Sequence, residues 1–180
     1  MLDQARELVR AELAESQPRR FSHLQGACRR AEAAAPLFSA EDGRLLVVTA
    51  LVHDVGYCDS ARETGFHPLD GARFLAERGY PARLCDLVAH HSCARLEADL
   101  RGLGSELSQW TDERSELRDA LWWADMTTSP DGEVVTFKER VAEIQARYGP
   151  EDLVSRFIRA AGPELRGAVE RTETRLAGLR

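Results

Sequence analysis

The feature that most constrains this chain is the spacing of its apolar residues, which recur at intervals of three and four from end to end. That is the period of an amphipathic helix, and no stretch alternates strictly enough to need a strand. The expected fold is therefore all-α, a compact multi-helix bundle. Leu2, Ala5, Leu8, Val9 and Leu13 line one face of a first helix. It should stop before Pro18, because the residue ahead of a proline is pushed out of the α region. A second helix runs from about Pro18 to Ala35 and is ended by Pro36. Asp42 can cap a third, which carries Leu45, Leu46, Val48, Leu51 and Val52 and is apolar nearly all round, the mark of a central helix.

The segment GYCDSARETGF, from Gly56 to Phe66, has no helical period and reads as an ordered loop over the end of that third helix. Helix four begins at Pro68 and ends near Gly79; Pro81 opens helix five, whose face is Leu84, Leu87 and Val88, continuing to His91. A sixth helix, around Leu96 to Trp110, is interrupted by Gly102 and Gly104. Glu113 to Met126 is helical with Leu117, Leu121 and Ala124 inward, and the turn-rich TTSPDG follows. Two or three further amphipathic helices, broken at Gly149-Pro150 and Gly162-Pro163, complete the chain. With no internal repeat or linker, residues 1–180 are expected to form a single helical domain.

Composition narrows the function classes. A chain of 180 residues with 43% hydrophobic and 30% charged side chains suits one compact soluble domain. Acidic residues outnumber basic ones 30 to 24, the net charge is −6, and no basic block follows a phosphate backbone, so nucleic acid is not expected as an obligate partner. No apolar run approaches the roughly 18 residues of a bilayer span. The N-terminal MLDQARELVRAELAES is charged every few residues, unlike a secretory signal. The expectation is a cytoplasmic protein without a membrane partner. Cys28, Cys58, Cys85 and Cys93 form no CxxC pair and read as reduced packing residues. Lys138 is the only lysine, so substrate cation contacts are expected from arginine, whose guanidinium can hold phosphate bidentately.

The chemistry concentrates in the histidines. All five, His23, His53, His67, His90 and His91, lie in the first part of the chain, at helix ends or on apolar faces. His53 and Asp54 follow the run LLVVTALV, which puts an imidazole and a carboxylate together at the inner end of a buried helix. A buried carboxylate is expensive unless it is paired, protonated or bound to a cation, and a divalent metal satisfies both residues at once. Asp125 is the natural distal ligand, because it follows Leu121 and Ala124 on an inward face. His23, early in the second helix, can face the same centre. Trp122 and Trp123 point about 100° apart on one helix and read as packing rather than as a stacking platform.

The ordered set of His23, HDVGY at His53 to Tyr57, and Asp125 resembles the HD superfamily of metal-dependent phosphohydrolases. GFHPLDGARFL, with His67, and VAHHS, with His90 and His91, resemble the longer family pattern in which extra histidines build a second metal position. The resemblance covers roughly residues 20–128, the expected metal-binding core, on which C-terminal helices from residues 134–180 pack. It implies an all-α bundle with the metal site at its centre. His23, His53, Asp54 and Asp125 would hold one metal, and Asp54 would bridge to a second completed by His67 and one of the paired histidines. His91 lies on the inward stripe of Leu87 and Val88 and is the surer ligand, although the resemblance admits both histidines; His90, rotated about 100° from it, is a candidate proton shuttle for the leaving group if it is not a ligand.

The implied cofactor is one or two divalent ions, drawn from manganese, iron, cobalt, nickel and zinc, with magnesium admissible. The implied reaction is hydrolysis of a phosphate ester or anhydride in a small phosphorylated metabolite or nucleotide by metal-activated water, in a monomer or a homodimer. One departure matters: many of these hydrolases carry a lysine after HD-x-G, where this chain has Tyr57. Arg20 and Tyr57 are the candidate substrate contacts, with Arg62 and Arg73 as further guanidiniums near the motif loops. Relatives of this fold also use the six-ligand set on iron, as mixed-valence di-iron oxygenases that cleave carbon–hydrogen or carbon–phosphorus bonds. Tyr57 gives weight to a third class, a metal-containing binding or regulatory module without turnover. Thr127 to Tyr148 follows Asp125 closely and is expected to contribute specificity, Lys138 included.

Overall fold

In the computed structural model, residues 1–179 are described, and among them lie ten α-helices, three short 3-10 turns and no strand. The helices are α1 (Leu2–Leu13), α2 (Pro18–Ala34), α3 (Ala40–Val52), α4 (His67–Glu77) and α5 (Ala82–Ala89), then α6 (Ala94–Arg101), α7 (Gly104–Leu107), α8 (Glu116–Met126), α9 (Phe137–Tyr148) and α10 (Leu153–Ala177). The only extended pairing among these residues is an isolated bridge between Thr128 and Val134. The all-α architecture thus follows the helical period of the sequence.

The apolar run of α3 makes it the centre, with every residue from Leu45 to Val52 buried and α1, α2, α5 and α8 packed round it. Its cap is Ser39, not Asp42. Ser39 Oγ accepts the Asp42 backbone N–H at 3.1 Å, while the Asp42 carboxylate takes Arg83 at 2.5 Å. A capping side chain reaches forward to the third residue of its helix, and Asp42 is that third residue. Likewise α8 starts at Glu116 rather than Glu113, capped by Ser115 Oγ on the Arg118 N–H at 3.1 Å.

The break at Gly162-Pro163 does not occur. α10 runs through Pro163 because Phe157, Ile158, Ala161, Leu165, Ala168 and Val169 keep one apolar face buried against α8 and α6. That burial outweighs the roughly 3 kcal/mol a mid-helix proline costs. α9 and α10 are separated at Gly149, as expected. α5 stops at Ala89, two residues short of the expected His91, and Ser92 and Cys93 then take φ of 46° and 63°. Left-handed residues without glycine cost about 1–3 kcal/mol each, and here they turn the chain sharply into α6.

Gly56 shows why the end of α3 can meet the start of α4. The 3-10 turn Val55–Tyr57 lies so close to α4 that a Cβ on Gly56 would sit 2.0 Å from the His67 carbonyl oxygen. The loop above it is held by Asp70, buried in α4, whose carboxylate accepts the backbone N–H groups of Glu63, Thr64 and Gly65. All four cysteines are buried and free, and Trp122 and Trp123 are both core residues. No described helix is long and apolar enough to cross a membrane.

Candidate metal centre

Six side chains from five elements converge below the α3 C-terminus. His23 comes from α2, His53 caps α3 and Asp54 follows it, His67 opens α4, His91 sits in the turn after α5, and Asp125 lies near the end of α8. Three rings are held from behind by the backbone. The Nδ1–H of His23 donates to the Ser129 carbonyl at 3.0 Å, that of His53 to Ala50 at 2.8 Å, and that of His91 to Val88 at 2.6 Å. These bonds assign the tautomer and leave each Nε2 lone pair facing inward, the usual second partner of a metal-bound histidine.

The inward atoms lie at coordination spacing. His23 Nε2 is 3.0 Å from Asp125 Oδ1. His53 Nε2 is 3.6 Å from Asp54 Oδ1 and 3.8 Å from Asp125 Oδ1. His67 Nε2 is 3.2 Å from Asp54 Oδ1 and 3.1 Å from His91 Nε2, which itself lies 3.5 Å from Asp54 Oδ1. Ligand atoms about 2.1 Å from a shared ion stand roughly 3–4 Å apart. His23, His53 and Asp125 form one such group and His53, Asp54 and His91 another, each with its ligand atoms within 4.8 Å of one another.

The fit to a cation rests on an orphan atom. His53 Nε2 is fully buried and has no hydrogen-bond partner, yet it points at two carboxylates. Lone pairs and anions facing one another in a buried space repel unless positive charge lies between them. The electrostatics agree. Burial alone would lower the His53 pKa, but Asp54 and Asp125 outweigh it and raise it to about 9, the mark of a position that attracts positive charge. Burial works to raise the Asp54 carboxyl, but Arg20 and His53 overcome it and hold it well below the usual carboxylate range. Asp125 behaves likewise beside His23 and His53. Burial keeps His23 and His67 below the ordinary imidazole value, so both favour the neutral, ligating form. Imidazoles and carboxylates without a thiolate suit divalent first-row ions.

Around this cluster lies a cavity of about 180 Å³. Arg20 lines it, ion-paired to Asp54 Oδ2 and stacked over the Tyr57 ring at 3.9 Å, and Tyr57 in turn stacks on His67 at 4.1 Å. The Ser92 hydroxyl donates to Asp125 Oδ2, a contact that the left-handed turn after His91 makes possible. The opposite side is built by α9 and α10, with Arg140, Ile144 and Arg147 from the first and Val154, Phe157 and Ile158 from the second.

Three expectations fail here. His90 does not reach the cavity: its Nε2 meets the Trp110 carbonyl at 2.9 Å and its own carbonyl accepts Trp122 Nε1–H at 3.0 Å, so a proton-shuttle role has no geometry. Arg62 pairs with Asp59 on the surface and Arg73 with Glu63 and Glu106, both outside the cavity, because local acids capture them. Lys138 faces a separate groove beside Val134 and Arg166. Of the 127–148 stretch it is Arg140, Ile144, Arg147 and Tyr148 that line the cavity, and these were not singled out by sequence. Ser92 and Asp70 were missed as well; a serine after paired histidines, and an acid three residues past a helix-opening histidine, were the signals available.

No curated protein and no solved structure gives a match to this chain. The HD domain family model, however, matches residues 20–161. That span extends past Asp125 through α9 and into α10, so it takes in the cavity wall as well as the histidine cluster. The match covers well over half of the chain, and the imidazoles and carboxylates it encloses are spaced for a metal, so this chain belongs to the HD domain family, the superfamily of metal-dependent phosphohydrolases.

Proposed function

We propose that this protein is a phosphohydrolase that cleaves a phosphate ester or anhydride of a small phosphorylated metabolite, using divalent ions held by His23, His53, Asp54, His67, His91 and Asp125. The observation that carries the reading is the buried, unpartnered His53 Nε2 aimed at Asp54 and Asp125. Asp54 suits a bridging role, since its Oδ1 lies 3.2–3.6 Å from His67, His91 and His53 at once. A bound divalent ion supplies an activated water and neutralises charge that develops on a phosphoryl group.

The chain's own residues supply the rest. Arg20, fixed between Tyr57 and Asp54, offers a guanidinium on the cavity side of the cluster. Burial raises the Tyr57 phenol above its ordinary value, so it stays protonated as a neutral donor. Phe157, Ile158 and Val154 give the opposite wall an apolar face along which a leaving group would lie. The cavity, at about 180 Å³, is smaller than the roughly 300 Å³ at which pockets for drug-sized ligands begin, which favours a small metabolite over a nucleotide held whole.

The test pairs elemental analysis of protein purified without chelator with a phosphate-ester panel under added manganese, cobalt or magnesium. Wild type is expected to carry transition metal and release orthophosphate, and Asp54→Ala to lose both. An Asp54→Ala protein that keeps metal and activity overturns the reading. Four imidazoles against two carboxylates is also a donor set that iron accepts. Dioxygen consumption by the iron-loaded protein without orthophosphate release would replace hydrolysis with the oxygenase reading.

A further inference from the structure

The cavity wall carries a buried cation with unused donors. Arg140 of α9 has a side chain only 6% exposed, yet its Nε has no hydrogen-bond partner and its Nη2 stands 4.0 Å from Asp125 Oδ1, too far for a hydrogen bond. Its one strong contact is Nη1 to Glu143 at 2.6 Å, and Glu143 also serves Arg147 through bonds of 2.6–2.9 Å. A guanidinium has five N–H donors in a fixed fork and is seldom buried so deeply without acceptors for them. Arg20, Arg140 and Arg147 together border both the main cavity and an adjoining hollow of about 60 Å³ beside His23.

The charge balance points the same way. Without metal, the three guanidiniums are offset by Asp54, Asp125 and Glu143. A single divalent ion on the two aspartates leaves the cluster with two positive charges, and a second ion leaves it with four. Glu97, the remaining cavity carboxylate, is already taken by Arg101 at 2.7 Å. A partly buried cluster of that charge, with spare donors on its deepest guanidinium, suits an anion.

We infer that Arg140, flanked by Arg20 and Arg147, is the subsite that holds the phosphoryl group of the substrate against the metal cluster. The fork of Arg140 can meet two oxygens of a tetrahedral dianion, as a lysine cannot. The substrate class it selects is a small phosphate monoester, with its leaving group lying along Ile144, Phe157 and Ile158. This inference rests on the phosphohydrolase reading but is tested apart from turnover.

The experiment titrates orthophosphate into the manganese-loaded full chain by calorimetry, with metal content measured on every sample. Wild type is expected to bind. Arg140→Gln should bind at least about tenfold more weakly at unchanged metal content, as expected for loss of a charge-assisted pair. Arg140→Lys, which keeps the charge and most of the packing, should fall between the two and serves if the glutamine variant does not fold. Phosphate binding within twofold of wild type in either variant overturns the subsite and leaves the phosphohydrolase reading standing. Loss of metal in both variants also overturns it, because Arg140 would then act only through Asp125. Metal-loaded wild type that binds no phosphate overturns the phosphohydrolase reading itself, and the subsite with it.

Discussion

The two sides of the cavity are built on different principles. On the metal side, His23, His53 and His91 each donate Nδ1–H to a main-chain carbonyl, from Ser129, Ala50 and Val88. Moving any of these rings breaks its hydrogen bond to the main chain. On the far side, Arg140 and Arg147 are held by one shared side chain, Glu143, and the remaining wall is aliphatic and aromatic packing from α9 and α10. Three of the six clustered side chains are thus held by the backbone, while the far wall is held by side chains alone. A side chain on that wall could then be exchanged without breaking the bonds that hold the three rings, in keeping with the rule that function lives in the site rather than in the fold.

The adjacent histidines give the largest expected effect, because they stand on opposite sides of that distinction. His91→Ala removes an Nε2 that lies within 3.5 Å of Asp54 and 3.1 Å of His67, and it should cost the protein metal. His90→Ala should leave metal content at the wild-type value. It removes only the bond to the Trp110 carbonyl, so its expected cost is about 1–2 kcal/mol in urea unfolding. Equal metal loss in the two variants would break the comparison.

Gly56→Ala comes next. Its new Cβ would fall 2.0 Å from the His67 carbonyl oxygen and 2.6 Å from the Gly71 nitrogen, both backbone atoms with no freedom to rotate away. The turn and α4 must separate, at a cost of about 1–3 kcal/mol in stability. Because α4 carries His67, metal content should drop along with the urea midpoint. A stable variant that has lost metal would sharpen the comparison by showing that spacing of main-chain elements sets the site; unchanged stability and metal would refute it.

How much of this was legible before the structure follows the same division. The imidazoles and carboxylates could be picked out because metal chemistry demands rare residue types, and five histidines in one chain are easily seen. The structure brings six of the predicted residues together. It sets His91 inside and His90 outside by a route the helical stripe did not contain: α5 ends at Ala89, and left-handed Ser92 and Cys93 turn the chain. No glycine marks that turn, so local pattern could not show it. Arg140 was invisible for a different reason. It is one of 23 arginines, on an amphipathic helix whose sequence does not say which face covers a cavity. Pro163 misled because the packing of α10 on α8 is a tertiary term.

The smallest effect is expected at Lys138, and it tests the facing of α9 directly. Lys138 and Arg140 are two positions apart, which on a helix is about 200° of rotation. Arg140 accordingly enters the cavity, while Lys138 lines a separate groove with Arg30, Val134, Arg166 and Glu170. The groove contains none of the six clustered side chains. Lys138→Ala should therefore leave metal content unchanged, orthophosphate binding within twofold, and stability within about 0.5 kcal/mol, as for most surface substitutions. A several-fold loss of phosphate binding would mean that the positive field reaching the substrate comes from around α9 rather than from its inner face. The wall would then not be the short-range, side-chain-built surface that separates it from the backbone-fixed metal side.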